Sequence, residues 1–291
     1  MVLLLGIVVV AAAVLWAGMA IVSHHYRTPR VSHRRDPGAD GIGFEEVRFP
    51  TVGGKRLYGW WIPAATGQGA PTLALVHGWG RNVERMLRFI RELHPAGFNL
   101  IVFDARSHGS SDADGTANML KFSADLRAAL DEAVRRGADA GGLGVLGLSV
   151  GGAAAIHAAA HDPRIGAVVT IGAFAHPGDL MRRELRSRGV PSVLAPLILR
   201  YVEHKIGARL NDIAPERQIP RITAPVLLVH GEDDVVVPVD HCRRLATAGG
   251  GNVETLILPG RGHSDCNRDH EFWPRVLSVF HRISHSKKHG D

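Results

Sequence analysis

Apolar residues along this chain fall into two patterns. Leu73 to Val76, Leu100 to Phe103, Leu143 to Leu148, Ala167 to Ile171, Val226 to Val229 and Val253 to Leu258 are short, nearly unbroken apolar runs. Runs of that length without polar alternation predict strands covered on both faces, as in a parallel sheet. Between them lie stretches that predict helices. These are Glu84 to Leu93, Ser123 to Arg136 with apolar residues at Leu126, Leu130 and Val134, the alanine-rich Gly151 to Ala160, and a closing Glu271 to Ile283. The alternation predicts an α/β domain with a mostly parallel central sheet flanked by helices. Ahead of it, Phe44 to Phe49 and Arg56 to Ile62 flank Gly53-Gly54 and predict a hairpin. Phe174 to Ile222 is much longer than a strand connection needs and predicts a small inserted helical cap.

The N-terminus differs from the rest. Val2 to Val22 contains no charged residue. As a helix rising ~1.5 Å per residue it spans roughly 30 Å, the thickness of a hydrocarbon core. It is longer than a cleaved signal's apolar region, so an uncleaved transmembrane helix over residues 1–23 is expected. Arg27, Arg30, Arg34 and Arg35 follow it and predict a single-pass topology with the C-terminal side in the cytoplasm. Residues 24–43, rich in Pro, Gly and charge, read as a basic juxtamembrane linker. Residues 44–285 form the catalytic domain, with the cap at 174–222, and residues 286–291 form a tail.

Charge modifies this picture little. The net charge of +6 is concentrated near the membrane flank, and no nucleic-acid motif accompanies it. Cys242 and Cys266 make neither a CxxC motif nor a disulfide framework. The 17 histidines are mostly scattered and read as surface composition. His157 and His161 have metal-pair spacing on a helix, but no glutamate follows the first and no third ligand is evident, so no metal site is expected.

Candidate chemistry lies where strands end. Gly147-Leu148-Ser149-Val150-Gly151 sits between a strand and a helix, the context in which a G-x-S-x-G turn exposes its serine. Ser149 is the candidate nucleophile. A hydroxyl needs a base, and His263 follows the last strand in a loop able to overhang the strand ends. The acid belongs at the end of the preceding strand, where Asp233 and Asp234 compete. A developing oxyanion needs two N–H donors, for which Val150 and Trp79 of His77-Gly78-Trp79-Gly80 are placed. His108, in Asp104-Ala105-Arg106-Ser107-His108-Gly109, is a rival base in the wrong chain order and reads as structural.

Taken together, His77 to Gly80, Phe103 to Gly109, the Ser149 turn, His230-Gly231 through Asp234 to Val237-Pro238, and Gly262-His263 resemble the α/β-hydrolase superfamily from about Phe44 to Ile283. Within it the chain looks like the membrane-anchored serine-aminopeptidase-like and BEM46-like groups. The resemblance implies the α/β-hydrolase fold. It implies hydrolysis of an ester, thioester or amide through an acyl-enzyme, without metal or cofactor. The family pattern, with its acid three residues after the glycine and before an x-x-Val-Pro run, selects Asp234. Ala105-Arg106-Ser107 departs from the usual arginine–glycine form, which bears on a turn and not on catalysis. A small-molecule or lipid acyl ester is the expected substrate, with peptidase, amidase or acyltransferase chemistry on the same triad as alternatives. In the cap, apolar Leu197 and Ile198 interleave with Arg182, Arg183, Arg186, Arg188 and Arg200. This is read as a solvated basic lid, or else as a surface meeting anionic lipid.

Overall fold

A computed structural model describes residues 28–67 and 69–285, with positions 6, 9, 10, 13, 16–18 and 20 ahead of them. Eight strands form one sheet: β1 (Glu45–Thr51), β2 (Lys55–Ile62), β3 (Thr72–Val76), β4 (Asn99–Phe103), β5 (Leu143–Leu148), β6 (Ile165–Ile171), β7 (Val226–Gly231) and β8 (Val253–Leu258). Their spatial order is β1-β2-β4-β3-β5-β6-β7-β8. The β1–β2 and β2–β4 pairs are antiparallel, and every later pair is parallel. The chain thus has the mostly parallel sheet of the α/β-hydrolase fold.

The apolar runs are explained by two cores, one on each face. Along β3, Leu73 and Leu75 point into one and Ala74 and Val76 into the other. The first core is closed by α1 (Leu87–Leu93) and, later in the chain, the C-terminal helix Phe272–His285. The second is closed by α2 (Met119–Arg135), α3 (Val150–Ala159), the cap, and the helix Asp240–Ala248. With both faces covered, polar alternation has no place in the central strands. The small side chains of α3, Ala153 to Ala155 among them, are fully buried and let that helix lie close to the sheet.

The cap consists of α4 (Pro177–Ser187), α5 (Ala195–Ile206) and the short α6 (Pro215–Gln218). The chain continues with α7 (Asp240–Ala248) and ends with α8 (Phe272–His285). Four expectations change. The helix expected from Glu84 begins as a 3₁₀ turn, Val83–Met86, capped by the Asn82 side chain, and becomes α-helical only at Leu87. Helix α7 departs from the expected pattern, because its buried face is only a few residues long, His241, Cys242 and Leu245, and begins just after the Val235–Pro238 segment. The histidines are not mainly surface composition: His77, His108, His230 and His241 are all buried. Residues 28–43, expected as a linker, are tied to the body as described below. The transmembrane expectation for residues 1–23 and the tail at 286–291 fall largely or wholly outside the described residues. Among those described, no helix is long and apolar enough to cross a membrane.

Candidate active site

Ser149 ends β5 and precedes α3, with φ 53° and ψ −118°, a backbone state that side-chain-bearing residues rarely adopt. Close packing makes the flanking glycines obligatory. A Cβ on Gly147 would collide with the Gly151 carbonyl, and one on Gly151 would come within 2.6 Å of the His77 carbonyl. The Ser149 N–H donates to Ile171 O at 2.8 Å, locking the turn to the end of β6. The first bond of α3 runs from Ala153 N–H to Ser149 O at 3.0 Å. The N–H groups of Val150, Gly151 and Gly152 thus form the first turn, without intrahelical acceptors, and the positive helix end lies at Ser149.

The residue after Ile171 connects the serine to the histidine. Gly172 has φ +63°, and a Cβ there would sit 3.0 Å from Cε1 and Nδ1 of His263 and 3.4 Å from Oδ2 of Asp234. The imidazole therefore packs on the backbone next to the one that holds Ser149. His263 Nδ1 donates to Asp234 Oδ2 at 2.6 Å. Among the described residues the Ser149 hydroxyl makes no hydrogen bond to the ring. The acid and base loops are joined directly. Asp233 N–H donates to Arg261 O at 2.9 Å, and a Cβ on Gly231 would run into the carbonyls of Arg261 and Gly262.

Of the competing carboxylates, Asp233 is exposed and Asp234 is buried against the imidazole. The other oxygen of Asp234 accepts the N–H groups of Val236 at 2.9 Å and Val237 at 2.8 Å. Burial alone would raise this carboxyl. Hydrogen bonds from His230, His263 and the Val237 N–H outweigh it and hold the group well below the usual carboxylate range. His230 was quoted in the motif but given no role. Its Nε2 lies 2.8 Å from Val237 O and 3.4 Å from Asp234 Oδ2. Burial opposes its charge, yet the bond to Asp234 pushes its pKa up to about 9. His230 is thus a second ring set behind the acid, and nothing in sequence spacing distinguishes it from a bystander.

The loop after β3 lies over the nucleophile: a Cβ on Gly78 would be 3.4 Å from both Ser149 Cβ and Leu148 O. His77 fixes its orientation. Its Nδ1–H donates to Gly78 O at 2.7 Å, and its Nε2 accepts from Ala105 N–H at 3.1 Å. A trans peptide directs its C=O and N–H oppositely, so the Trp79 N–H lies on the side of that peptide away from the His77 ring. His108 donates from Nδ1 to Arg106 O at 3.0 Å and accepts the Gly80 N–H on Nε2 at 3.2 Å. With both nitrogens engaged and burial pushing its pKa down to about 4, it braces the loop as a neutral ring. The His157–His161 pair is a stacked couple 4.4 Å apart, with His157 Nδ1 hydrogen-bonded to Ser123 Oγ at 2.9 Å.

The segment expected as a linker is a strap over this loop. Thr28 Oγ1 donates to Ser107 O at 2.8 Å, and Arg30 donates to the carbonyls of Gly109, at 3.1 Å, and Ser111. Asn82 Nδ2 donates to Val31 O at 3.1 Å and Ser32 O at 3.3 Å. His33 Nε2 donates to the fully buried Asp104 at 2.8 Å and stacks on Tyr58 at 5.0 Å. That hydrogen bond raises the His33 pKa. Asp104 in turn accepts the N–H groups of Val83 at 2.7 Å and Ser110 at 2.8 Å. The strap's own bonds, side chain to backbone except for the His33–Asp104 pair, span some 50 to 80 residues and are invisible to any periodicity.

Known proteins share this fold. The family described as Serine aminopeptidase, S33, matches residues 68–212, which include Trp79 and Ser149 but stop before Asp234 and His263. The chain is 27% identical over 239 residues to the uncharacterized YfhR of Escherichia coli K12, covering 80% of this chain and 78% of that protein. Its fold is similar to the Pyrococcus furiosus esterase Pf2001, with TM-score 0.71 and 22% identity over 88% of this chain and 97% of the other. It is also similar to the α/β hydrolase GrgF of Penicillium sp. sh18, with TM-score 0.68 and 20% identity over 83% and 99%. Sheet order, nucleophile turn and family match agree: the chain has the α/β-hydrolase fold and is similar to the serine aminopeptidase family over residues 68–212.

Proposed function

We propose that this hydrolase cleaves carboxylic acyl esters through Ser149, and that residues 1–23 hold it to a membrane with the catalytic domain on the cytoplasmic side. The observation that carries the chemistry is the 2.6 Å His263–Asp234 hydrogen bond beside a strained serine turn. In this reading, His263 Nε2 takes the Ser149 proton as Oγ attacks the ester carbonyl. The carbonyl oxygen becomes an oxyanion facing the N–H groups of Val150 and Trp79. The imidazolium then protonates the leaving alkoxide, which departs as the alcohol and leaves an acyl-serine. Water, deprotonated by the same imidazole, releases the acid and restores Ser149. Asp234 stays ionised throughout: it holds Nδ1–H and stabilises the imidazolium. Each oxyanion donor contributes on the order of 2.7–4 kcal/mol in comparable enzymes.

The family description favours a second reading, amide or peptide cleavage on the same triad. One panel separates them: p-nitrophenyl esters from acetate to dodecanoate against aminoacyl p-nitroanilides, with wild type and Ser149→Ala. Ester turnover that exceeds anilide turnover and vanishes in Ser149→Ala supports the ester reading. Anilide turnover in excess, lost in the same variant, replaces it with the amidase reading. Turnover that survives the substitution defeats both.

A further inference from the structure

The exposed large apolar side chains are not scattered. Beyond the N-terminal run, the described residues include six of them: Val31, Val52, Val193, Leu197, Val235 and Val236. Val31 belongs to the strap over the loop carrying Trp79, Val193 and Leu197 belong to the cap, and Val235 and Val236 follow Asp234 directly. Only Val52, in the β1–β2 turn, lies elsewhere. Arg183 of α4 donates to Val235 O at 3.0 Å, so cap and acid loop form one continuous rim. Val193 is 77% and Val235 78% exposed, an unfavourable state in water for large apolar side chains grouped on one rim.

The N-terminal segment reaches this same rim. Gly18 is buried, and a Cβ there would lie 2.9 Å from Cδ1 of Ile198 in α5. Ten residues later Thr28 is bonded to Ser107, and Pro29 lies 3.9 Å from the position a Gly80 Cβ would take. The chain therefore touches first the cap and then the loop over Ser149. Gly18 is four positions from the end of the apolar run at Val22, roughly 6 Å along a helix. If that run lies in a bilayer, Ile198 sits about one helical turn inside the bilayer boundary. Charge around the rim has the matching sign. Arg182, Arg188 and Arg200 pair with Asp179, Glu184 and Glu203. Among the described residues, Arg183 and Arg30 bond to carbonyl oxygens and to no carboxylate, which leaves their charge uncompensated there.

We infer that the strap, cap and acid-loop rim rests on an anionic phospholipid surface, with the opening over Ser149 facing the bilayer, so that the substrate is an acyl ester drawn from the membrane rather than from solution. The substrate part rests on the ester reading above; the docking part does not. The test uses the full chain in phosphatidylcholine vesicles with and without phosphatidylglycerol. An environment-sensitive NBD label is placed on Leu197→Cys or, as a control, on Ala140→Cys. Ala140 is exposed just ahead of β5, at the sheet end opposite Ser149. The native Cys242 and Cys266 are buried. Nitroxide-bearing lipid should quench the Leu197 label at least twofold more than the Ala140 label, and more so with phosphatidylglycerol. Equal quenching at both positions overturns the docking, as does failure to bind vesicles. A blue-shifted Leu197 label without lipid quenching also overturns it, because a second copy of the chain would then cover the face. In the Ser149→Ala background the quenching should be unchanged, so docking stands or falls apart from the chemistry. For the substrate, the Val193→Asp/Leu197→Asp double variant should lose at least tenfold in hydrolysis of vesicle-borne long-chain esters. It should stay within twofold on soluble p-nitrophenyl butyrate. Equal effects on both substrates overturn delivery from the membrane.

Discussion

Gly172→Ala isolates the position of the His263 ring from general stability. Gly172 sits at φ +63°, and an added methyl would meet two ring atoms of His263 at 3.0 Å. Carbon contacts are comfortable at about 3.5–4.0 Å, so the ring has to retreat by roughly 0.5–1 Å. A misplacement of about 1 Å in a catalytic group can cost ~100-fold. The expected loss in kcat/KM on p-nitrophenyl butyrate is therefore about 10- to 100-fold, or ~1.4–2.8 kcal/mol of barrier. The left-handed backbone adds a stability cost of roughly 1–2 kcal/mol, which lowers Tm by about 2–8 °C in a domain of this size. Gly207→Ala is the control, since Gly207 has φ +76° and open space around its Cβ position. It should lose similar stability and keep its activity. A Gly172→Ala enzyme as active as the Gly207→Ala enzyme would refute the placement of the imidazole as the working base.

Asp234→Asn should lower kcat by ~10³–10⁴, because an amide can present its NH₂ to His263 and favour the wrong tautomer. With the NH₂ on His263 the amide oxygen still accepts the Val236 and Val237 N–H groups, so the loss should appear as slower fluorophosphonate labelling with Tm within a few degrees of wild type. Stability should fall on both sides of neutrality. The lowered Asp234 pKa contributes stability present above about pH 3.9 and lost as pH falls toward its folded value. The raised His230 pKa contributes stability complete below about pH 6.5 and lost as pH rises through about 9. His230→Gln should flatten the alkaline limb of Tm against pH, and an unchanged limb would contradict the assignment. His33→Ala should cost about 1–3 kcal/mol in urea unfolding by depriving buried Asp104 of a partner. The deficit should shrink as pH rises through the elevated His33 pKa, where the wild-type pair itself weakens.

The fold was legible because its central strands are covered on both faces, which leaves unbroken apolar runs such as Leu73–Val76 with no alternative pattern to confuse them. The nucleophile was legible because its turn demands small residues at fixed offsets, and the collisions at Gly147 and Gly151 are that demand in atomic form. The choice between Asp233 and Asp234 was legible only through the family pattern, not from the residues' own chemistry. It depends on which carboxylate points inward, a property of the turn after β7. His230 and His33 escaped notice for a related reason: a buried histidine bonded to carboxylate and backbone has no sequence period. Position 107 shows the converse. Ser107 occupies φ 65°, where the family form has glycine, and its hydroxyl compensates by donating to Gly115 O at 3.2 Å and accepting from Asp114 N–H at 3.0 Å. The departure from the arginine–glycine form is thus absorbed locally, away from the reacting atoms.

The central claim is that one hydroxyl, at residue 149, is activated by the imidazole beside Gly172. The most direct measurement is peptide mass mapping of the full chain after reaction with a fluorophosphonate probe. A single phosphonyl adduct on Ser149, formed at a rate that drops at least 100-fold in His263→Ala, is the predicted result. An adduct on a different residue, or adduct formation on Ser149 at an undiminished rate without His263, would contradict the account.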